Sequence, residues 1–157
     1  MGHVSDESLL LDDQLCFAIY AASRAVTATY RPLLEELGLT YPQYLVMLLL
    51  WDRGRCSVKE VGAALELDYG TVTPLLKRLA ALGLVERHRR TDDERGVDVV
   101  LTAEGEALRS RAAAVPTQMG TAFGLSAAER EDLRKRLRTL TRSVHAFTAE
   151  RVSPATG

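Results

Sequence analysis

A chain of 157 residues, 46% hydrophobic and 26% charged, is long enough for one domain with a real core and too apolar for wholesale disorder. Its formal net charge of −1 neither suggests nor excludes nucleic acid, so a DNA binder of this balance must concentrate positive charge locally. The longest apolar run, YLVMLLLW (44–51), is too short to cross a bilayer, the acidic N-terminus lacks the basic start of a signal peptide, and two cysteines make no disulfide framework; a reducing cytoplasm is the expected compartment.

The first ten or so residues and the tail VSPATG read as frayed ends, with no repeat or low-complexity segment between them. A long helix is expected from about Ser8 to Leu37, ending at Gly38, with Pro32 as a kink because proline has no N–H to give. LTYPQYLVMLLLWDRG follows as a second helix, with Thr40 or Tyr41 at its cap, Pro42 in its first turn and Gly54 closing it. Apolar nearly all round, it should be buried. SVKEVGAAL opens with a capping box of Ser57 and Glu60. A tight ELD turn leads to DYGTVTPLLKRLAALG, capped by Asp68 and ended by Gly83. Two short helices so joined form a helix-turn-helix.

The period then changes. LVERHRR (84–90) and VDVVL (97–101) alternate as strands around the turn TDDERG (91–96), which adds a wing. Thr102 starts a further helix, TAEGEALRSRAAAV, with Pro116 as a break. SAAE (126–129) is another capping box, opening a helix to about Glu150. Its apolar Leu133, Leu137, Leu140, Val144 and Phe147 recur at three- and four-residue steps and must pack on the N-terminal helix or on a second subunit. The expected fold is therefore mainly α with a small β-hairpin wing. Within a single domain spanning 1–157, the winged helix-turn-helix covers 40–101, and a helical dimerisation region is built from 8–38 and 102–150.

A recognition helix needs small or polar residues where base edges are reached and positive charge where it leaves the groove. Tyr69, Thr71 and Thr73 stand at the start of the second helix of the pair, with Lys77 and Arg78 two turns on; Leu75, Leu76, Leu79 and Leu82 should face the core. The wing supplies Arg87, Arg89, Arg90 and Arg95, with Asp93 placed to hold Arg95 by a charge-assisted pair. A charge run is ordinarily a solvated face. Behind a capped helix-turn-helix and in the wing position, it points instead to duplex DNA, an arginine at a hairpin tip suiting a narrow minor groove. Two such modules on a pseudo-palindromic operator imply a two-fold homodimer.

These residues resemble the MarR superfamily of transcriptional repressors, through GLVERHRRTDDERGVDVVLTAEG (83–105) with its Asp-x-Arg wing. Within it, QLCFAIYAASRAVTATYRPLLEELGLTYPQYLVMLLLW (14–51) and LDYGTVTPLLKRL (67–79) resemble the organic-hydroperoxide sensors of the OhrR branch. The resemblance covers almost the whole chain and weakens beyond about residue 110.

Helix geometry alone puts Cys16, Tyr20, Ser23, Thr27 and Tyr30 on one narrow face. Tyr30 nevertheless lies about 21 Å further along the axis, out of reach of the Cys16 of its own helix. An antiparallel second copy could bring Tyr30 beside Cys16, twice by symmetry. The resemblance implies such an interface: a sensing thiol at Cys16, hydrogen-bonded by Tyr30 and Tyr41 of the partner, with Tyr20 as a third member of the pocket. It also implies the one-cysteine type, because Cys56 sits inside the DNA-binding unit as a buried spacer and a small external thiol must complete the switch. Against a thiolate at Cys16 stand Asp12 and Asp13 one turn earlier, and a helix dipole that is weak so far into a helix begun at Ser8.

The expectation is a cytoplasmic, non-enzymatic, homodimeric repressor that releases its operator when an organic hydroperoxide oxidises Cys16, without cofactor, metal or membrane. His3, His88 and His145 are too scattered for a metal site. The nearest alternative is a MarR-type repressor released by a small aromatic ligand, with Cys16 unused. A thiol peroxidase would need a pocket of which nothing appears beyond one cysteine, and a purely structural helical dimer leaves the arginine-rich wing unexplained.

Overall fold

The computed structural model describes residues 8–93 and 96–152. Most of the two ends expected to fray, His3, and the wing-tip residue Arg95 with its expected bond to Asp93 lie outside the described residues. The chain divides into two compact units, Met1–Pro116 and Thr117–Gly157.

In the first unit a 3₁₀ turn, Leu11–Asp13, precedes α1 (Leu15–Glu35). The helix thus starts at Leu15, not at Ser8. Local side-chain bonding explains the difference: Ser8 donates its hydroxyl to Asp13 at 2.5 Å, and the Gln14 amide donates to the Ser8 carbonyl at 2.6 Å and the Leu10 carbonyl at 3.2 Å. Backbone acceptors are held by side chains where a helix would need them. At the other end α1 continues through Pro32 to Glu35, and the chain turns at Gly38 with φ of 69°.

Thr40 caps α2 (Tyr41–Arg53) in a full capping box with Gln43, and Pro42 occupies the first turn. The helix buries Tyr44, Val46, Met47, Leu50 and Trp51. A strand the sequence reading did not anticipate, β1 (Arg55–Ser57), follows Gly54. Three residues carry no alternation of their own. The expected Ser57–Glu60 box opens α3 (Val58–Leu65), and Glu66 at φ of 55° makes the turn. Asp68 then caps α4 (Tyr69–Ala81). Leu75, Leu76 and Leu79 are core as expected, but Leu82 is not: it lies past the last helical turn and is 51% exposed.

Strands β2 (Val85–Arg89) and β3 (Val97–Leu101) form the hairpin, with β1 added on the far edge of β3 in the order β1-β3-β2, all antiparallel. Val99 stands opposite both Cys56 and Arg87, so the hairpin base is stitched to the helix-turn-helix. Met47, Leu50, Val61, Val72, Leu76 and Val99 are completely buried, each worth about 1.5–3 kcal/mol of burial.

The start of α5 (Ala103–Ala112) locks this unit. Thr102 donates its hydroxyl to the Gly83 carbonyl at 2.6 Å and its N–H to the Leu84 carbonyl at 3.1 Å. Its hydroxyl also caps α5 by accepting from the Gly105 N–H, and the Trp51 indole donates to the Gly105 carbonyl at 2.9 Å. From the same helix, Arg111 donates to the Glu36 carbonyl just past α1.

The helix α6 (Val115–Ala122) leads into the second unit, where Gly124 turns at φ of 62° and the expected Ser126–Glu129 box opens α7 (Ala127–Val152). Arg130 donates to the carbonyls of Gly120 and Leu125, closing that turn. Charged neighbours pair along α7, Glu131 with Arg134 and Lys135 and Asp132 with Arg136, while Leu133, Leu137, Val144 and Phe147 stay exposed on the single chain. No helix among the described residues is long and apolar enough to cross a membrane.

The lock makes Gly105 irreplaceable. A Cβ there would lie 2.0 Å from the Leu84 carbonyl oxygen, a backbone atom that cannot swing away. Gly105→Ala is expected to destabilise the fold by about 3 kcal/mol, the range of severe overpacking, measured by urea denaturation. Ala107→Gly, an exposed change in the same helix, is expected to cost only about 1 kcal/mol.

Candidate DNA interface and thiol site

The exposed face of α4 starts at its N-terminus. Asp68 accepts the Thr71 N–H at 2.8 Å, which fixes the first turn and leaves Tyr69 68% exposed. Val72, Leu75, Leu76 and Leu79 face inward, so Thr71, Pro74, Lys77 and Arg78 fall on the opposite side and are exposed. Pro74, whose part the sequence reading overlooked, has no N–H to offer the Gly70 carbonyl. Thr73 is half-buried, and its hydroxyl has no hydrogen-bond partner. The Nε of Arg87 is likewise buried and unpartnered. Leaving such groups unmet costs about 1–3 kcal/mol each.

Strand alternation sorts the wing arginines. Arg87 and Arg89 stand opposite Val99 and Val97, on the face of the sheet that also carries Val85. Among the described residues neither has an acidic partner, and nor do Lys77 and Arg78. His88 and Glu86 point to the other face, 2.9 Å apart, with Asp98 opposite His88. Arg90 differs from its neighbours, since both its nitrogens Nε and Nη2 donate to Asp92, at 3.0 and 2.9 Å. Among the described residues, the α4 face and Arg87 and Arg89 of β2 thus carry positive charge that no acidic side chain neutralises.

Cys16 is exposed, in the first turn of α1. The late start of the helix changes its place in the fold: the thiol stands in the first turn of α1, where the backbone N–H groups have no intrahelical acceptor. The exposed Asp12 and Asp13 lie in the preceding 3₁₀ turn. Cys56 is buried on β1, where desolvation pushes its thiol up and keeps it protonated.

Of the tyrosines expected around a thiol, Tyr30 and Tyr41 come together, their ring centres 4.6 Å apart. Tyr44 joins them with its ring 5.8 Å from that of Tyr30. It was missed because it reads as core of α2, yet its place three residues after Tyr41 puts it on the same side of that helix. Tyr20 is not part of this cluster. It is 60% exposed, with the Arg24 guanidinium 5.5 Å from its ring centre. Burial, then the neighbouring Tyr41 and Tyr44, push the Tyr30 hydroxyl up to about 12, and burial raises Tyr41 and Tyr44 as well. All three remain neutral hydrogen-bond donors at physiological pH.

A capped helix-turn-helix, a three-stranded wing and cations without acidic partners on α4 and β2 define a winged-helix DNA-binding regulator. Residues 28–111 match the family described as transcriptional regulator SarA/Rot. The chain is 45% identical over 142 residues to the organic hydroperoxide resistance transcriptional regulator of Bacillus subtilis (strain 168), covering 88% of this chain and 95% of that one. It is also 45% identical over 150 residues to the HTH-type transcriptional regulator TtmR of Methylorubrum extorquens (strain PA1), covering 96% and 77%. Among solved structures, reduced AbfR bound to DNA is 33% identical with a TM-score of 0.72, covering 85% of this chain and 94% of that one. Overoxidised AbfR bound to DNA gives 0.70, covering 84% and 93%, and disulfide-formed AbfR gives 0.62, covering 83% and 92%. AbfR is a protein of Staphylococcus epidermidis. The chain belongs to the MarR superfamily of transcriptional regulators.

The tyrosine cluster has a pH signature. Below pH 10 Tyr30 is protonated in folded and unfolded chains alike, so its contribution to stability is constant. From pH 10 to about 12 the unfolded chain loses this proton first, and stability falls as pH rises. Tyr30→Phe is expected to flatten that part of the alkaline decline, read by denaturation midpoints alongside tyrosinate absorbance.

Proposed function

We propose that this regulator is a homodimeric repressor that holds its operator while Cys16 is reduced and releases it after an organic hydroperoxide oxidises that thiol. The observation that carries the reading is the exposed Cys16 in the first turn of α1, on the same helix as Tyr30 but about 21 Å from it, so that only a second copy can supply the cluster to the thiol. The 45% identity to a hydroperoxide resistance regulator supports the same inducer class.

The chemistry is a two-step exchange. The thiolate attacks the distal peroxide oxygen, the O–O bond breaks, and an alcohol leaves with a proton from solvent while sulfur becomes a sulfenic acid. A low-molecular-weight thiol then condenses with the sulfenic acid, giving a mixed disulfide and water. This chain has only Cys56 besides Cys16, and it is buried on β1. An external thiol therefore completes the switch. Overoxidised AbfR is known on DNA, which favours the bulky disulfide over sulfur oxidation itself as the releasing step. In the reduced state Tyr30 and Tyr41 of the partner donate to the sulfur; the added group displaces them.

DNA contact is assigned to Tyr69, Thr71, Thr73, Lys77 and Arg78 of α4, with Arg87, Arg89 and Arg95 of the wing. A pseudo-palindromic operator matches the two-fold dimer. The dimer also covers the exposed apolar residues of α1 and α7, which otherwise face water.

Operator release is tested by fluorescence anisotropy on the duplex that wild-type protein selects from a random-sequence pool. Hydroperoxide plus a small thiol is expected to release wild type and leave Cys16→Ser bound. If both stay bound, Cys16 is not the sensor and a small aromatic ligand is the inducer to test next; release of both shows that a group other than Cys16 responds to the peroxide. Dimerisation is tested separately: Leu137→Glu with Phe147→Glu on α7 is expected to shift the protein to monomer in sedimentation while helicity is kept. An unshifted dimer would remove α7 from the interface.

A further inference from the structure

Arg90 sits in the middle of the wing's positive run, yet its surroundings differ from those of its described neighbours Arg87 and Arg89. Its guanidinium makes a two-pronged bond to Asp92, Nε to Oδ1 at 3.0 Å and Nη2 to Oδ2 at 2.9 Å. Its third nitrogen, Nη1, lies 3.9 Å from Asp98 Oδ1, and the other oxygen of Asp98 lies 3.9 Å from Arg55 Nη1 on β1. The backbone closes the same loop, the Arg90 N–H donating to the Gly96 carbonyl at 2.8 Å and the Gly96 N–H to the Asp93 carbonyl at 2.9 Å. The side-chain stem crosses directly over Gly96, where a Cβ would meet the Arg90 Cδ at 2.6 Å.

We propose that Arg90 is a positioning residue of the wing, a clamp that ties the turn (Asp92, Gly96) to the sheet (Asp98, and through it Arg55 of β1), and does not itself contact phosphate. The inference rests on the reading that the wing meets DNA, and it removes Arg90 from the contact residues expected there. Three facts carry it. The bond to Asp92 is bidentate, the geometry in which arginine and carboxylate hold each other most specifically. Arg90 shares the sheet face of Asp98 and Arg55, opposite to the face of Arg87 and Arg89. Moving it to a phosphate would also strand the Asp92 carboxylate beside the DNA backbone and leave Asp98 with Arg55 alone. The hydrogen bond from Arg90 correspondingly holds the Asp92 carboxyl below the usual carboxylate range, and that bond raises Arg90 in turn.

A clamp and a contact predict opposite signs for neutralising Asp92. If Arg90 touches phosphate, Asp92→Asn deletes a repulsive negative charge and binding tightens. If Arg90 is a clamp, Asp92→Asn loosens the wing and binding weakens despite the lost repulsion. Affinity for the duplex selected from a random pool is measured at fixed salt for full-length Asp92→Asn, Arg90→Ala, Arg90→Lys and the Arg90→Ala/Asp92→Asn double variant. Each single variant is expected to weaken binding about tenfold, and the double variant no more than either alone. Arg90→Lys should fail to rescue, because an ammonium cannot make the two-pronged bond. Glu86→Gln, an acid on the same face outside the clamp, should not weaken binding. Unchanged or tighter binding by Asp92→Asn overturns the clamp. Arg89→Ala separates the two levels: if it weakens binding while Asp92→Asn does not, only the clamp falls, and if neither variant matters, the wing's contact with DNA falls with it.

Discussion

The geometry of the DNA-binding unit depends on one junction, where the chain leaving α4 meets the chain leaving the wing. Gly83 and Leu84 follow α4, and their carbonyls accept the hydroxyl and N–H of Thr102, the residue that ends β3 and caps α5. Gly105 in the first turn of α5 sits against the Leu84 carbonyl, and its own carbonyl takes the indole N–H of Trp51. Four elements therefore share a few hydrogen-bonding groups, with the Trp51–Gly105 bond buried among them. Recognition by a winged helix needs α4 and the wing at a fixed relation to each other. That relation is set here by the Thr102 bonds to the Gly83 and Leu84 carbonyls and by the buried indole bond of Trp51.

A second constraint acts at the thiol end. Cys16 and Tyr30 share a helix, and the rise of an α-helix separates them by about 21 Å however the rest of the chain folds. The Tyr30, Tyr41 and Tyr44 rings cluster where α1 meets α2, whereas Cys16 stands free in the opposite end of α1. No rotamer change brings the two together within one chain. On the proposed reading this is why sensing belongs to the dimer: the thiol and the donors that hold it are kept apart in each subunit and meet only across a two-fold axis.

Much of this was legible in the sequence because helix caps are local chemistry. Thr40, Ser57, Asp68, Thr102 and Ser126 each cap the helix expected of them, since a cap and its partner lie three residues apart. What was misread depends on longer reach or on competing local bonds. The start of α1 was displaced to Leu15 by the side chains of Ser8, Asp13 and Gln14, which puts Cys16 in the first turn of the helix. Strand β1 escaped notice because its partner β3 lies some forty residues on, and three residues show no period. Tyr44 looked like ordinary core, although it joins the ring cluster of Tyr30. Leu82 looked like core because it continues a leucine spacing beyond the point where α4 stops.

The element that links the two ends is α2. Tyr41 and Tyr44 occupy its first turn, Trp51 its last, and between them Met47 and Leu50 are completely buried. Thirteen helical residues span about 20 Å, so the helix reaches from the tyrosine cluster to the Gly105 carbonyl that anchors α5 and the wing. A buried helix of this kind moves as a body, since close-packed side chains do not absorb displacement one by one. On the proposed reading, drawing Tyr41 towards a reduced thiol fixes one end of α2, and expelling it frees that end. The other end carries the indole bond on which the relation of α4 to the wing depends. A chemical change at a sulfur atom outside the DNA-binding unit can thereby alter that unit's geometry without touching a single DNA-facing side chain.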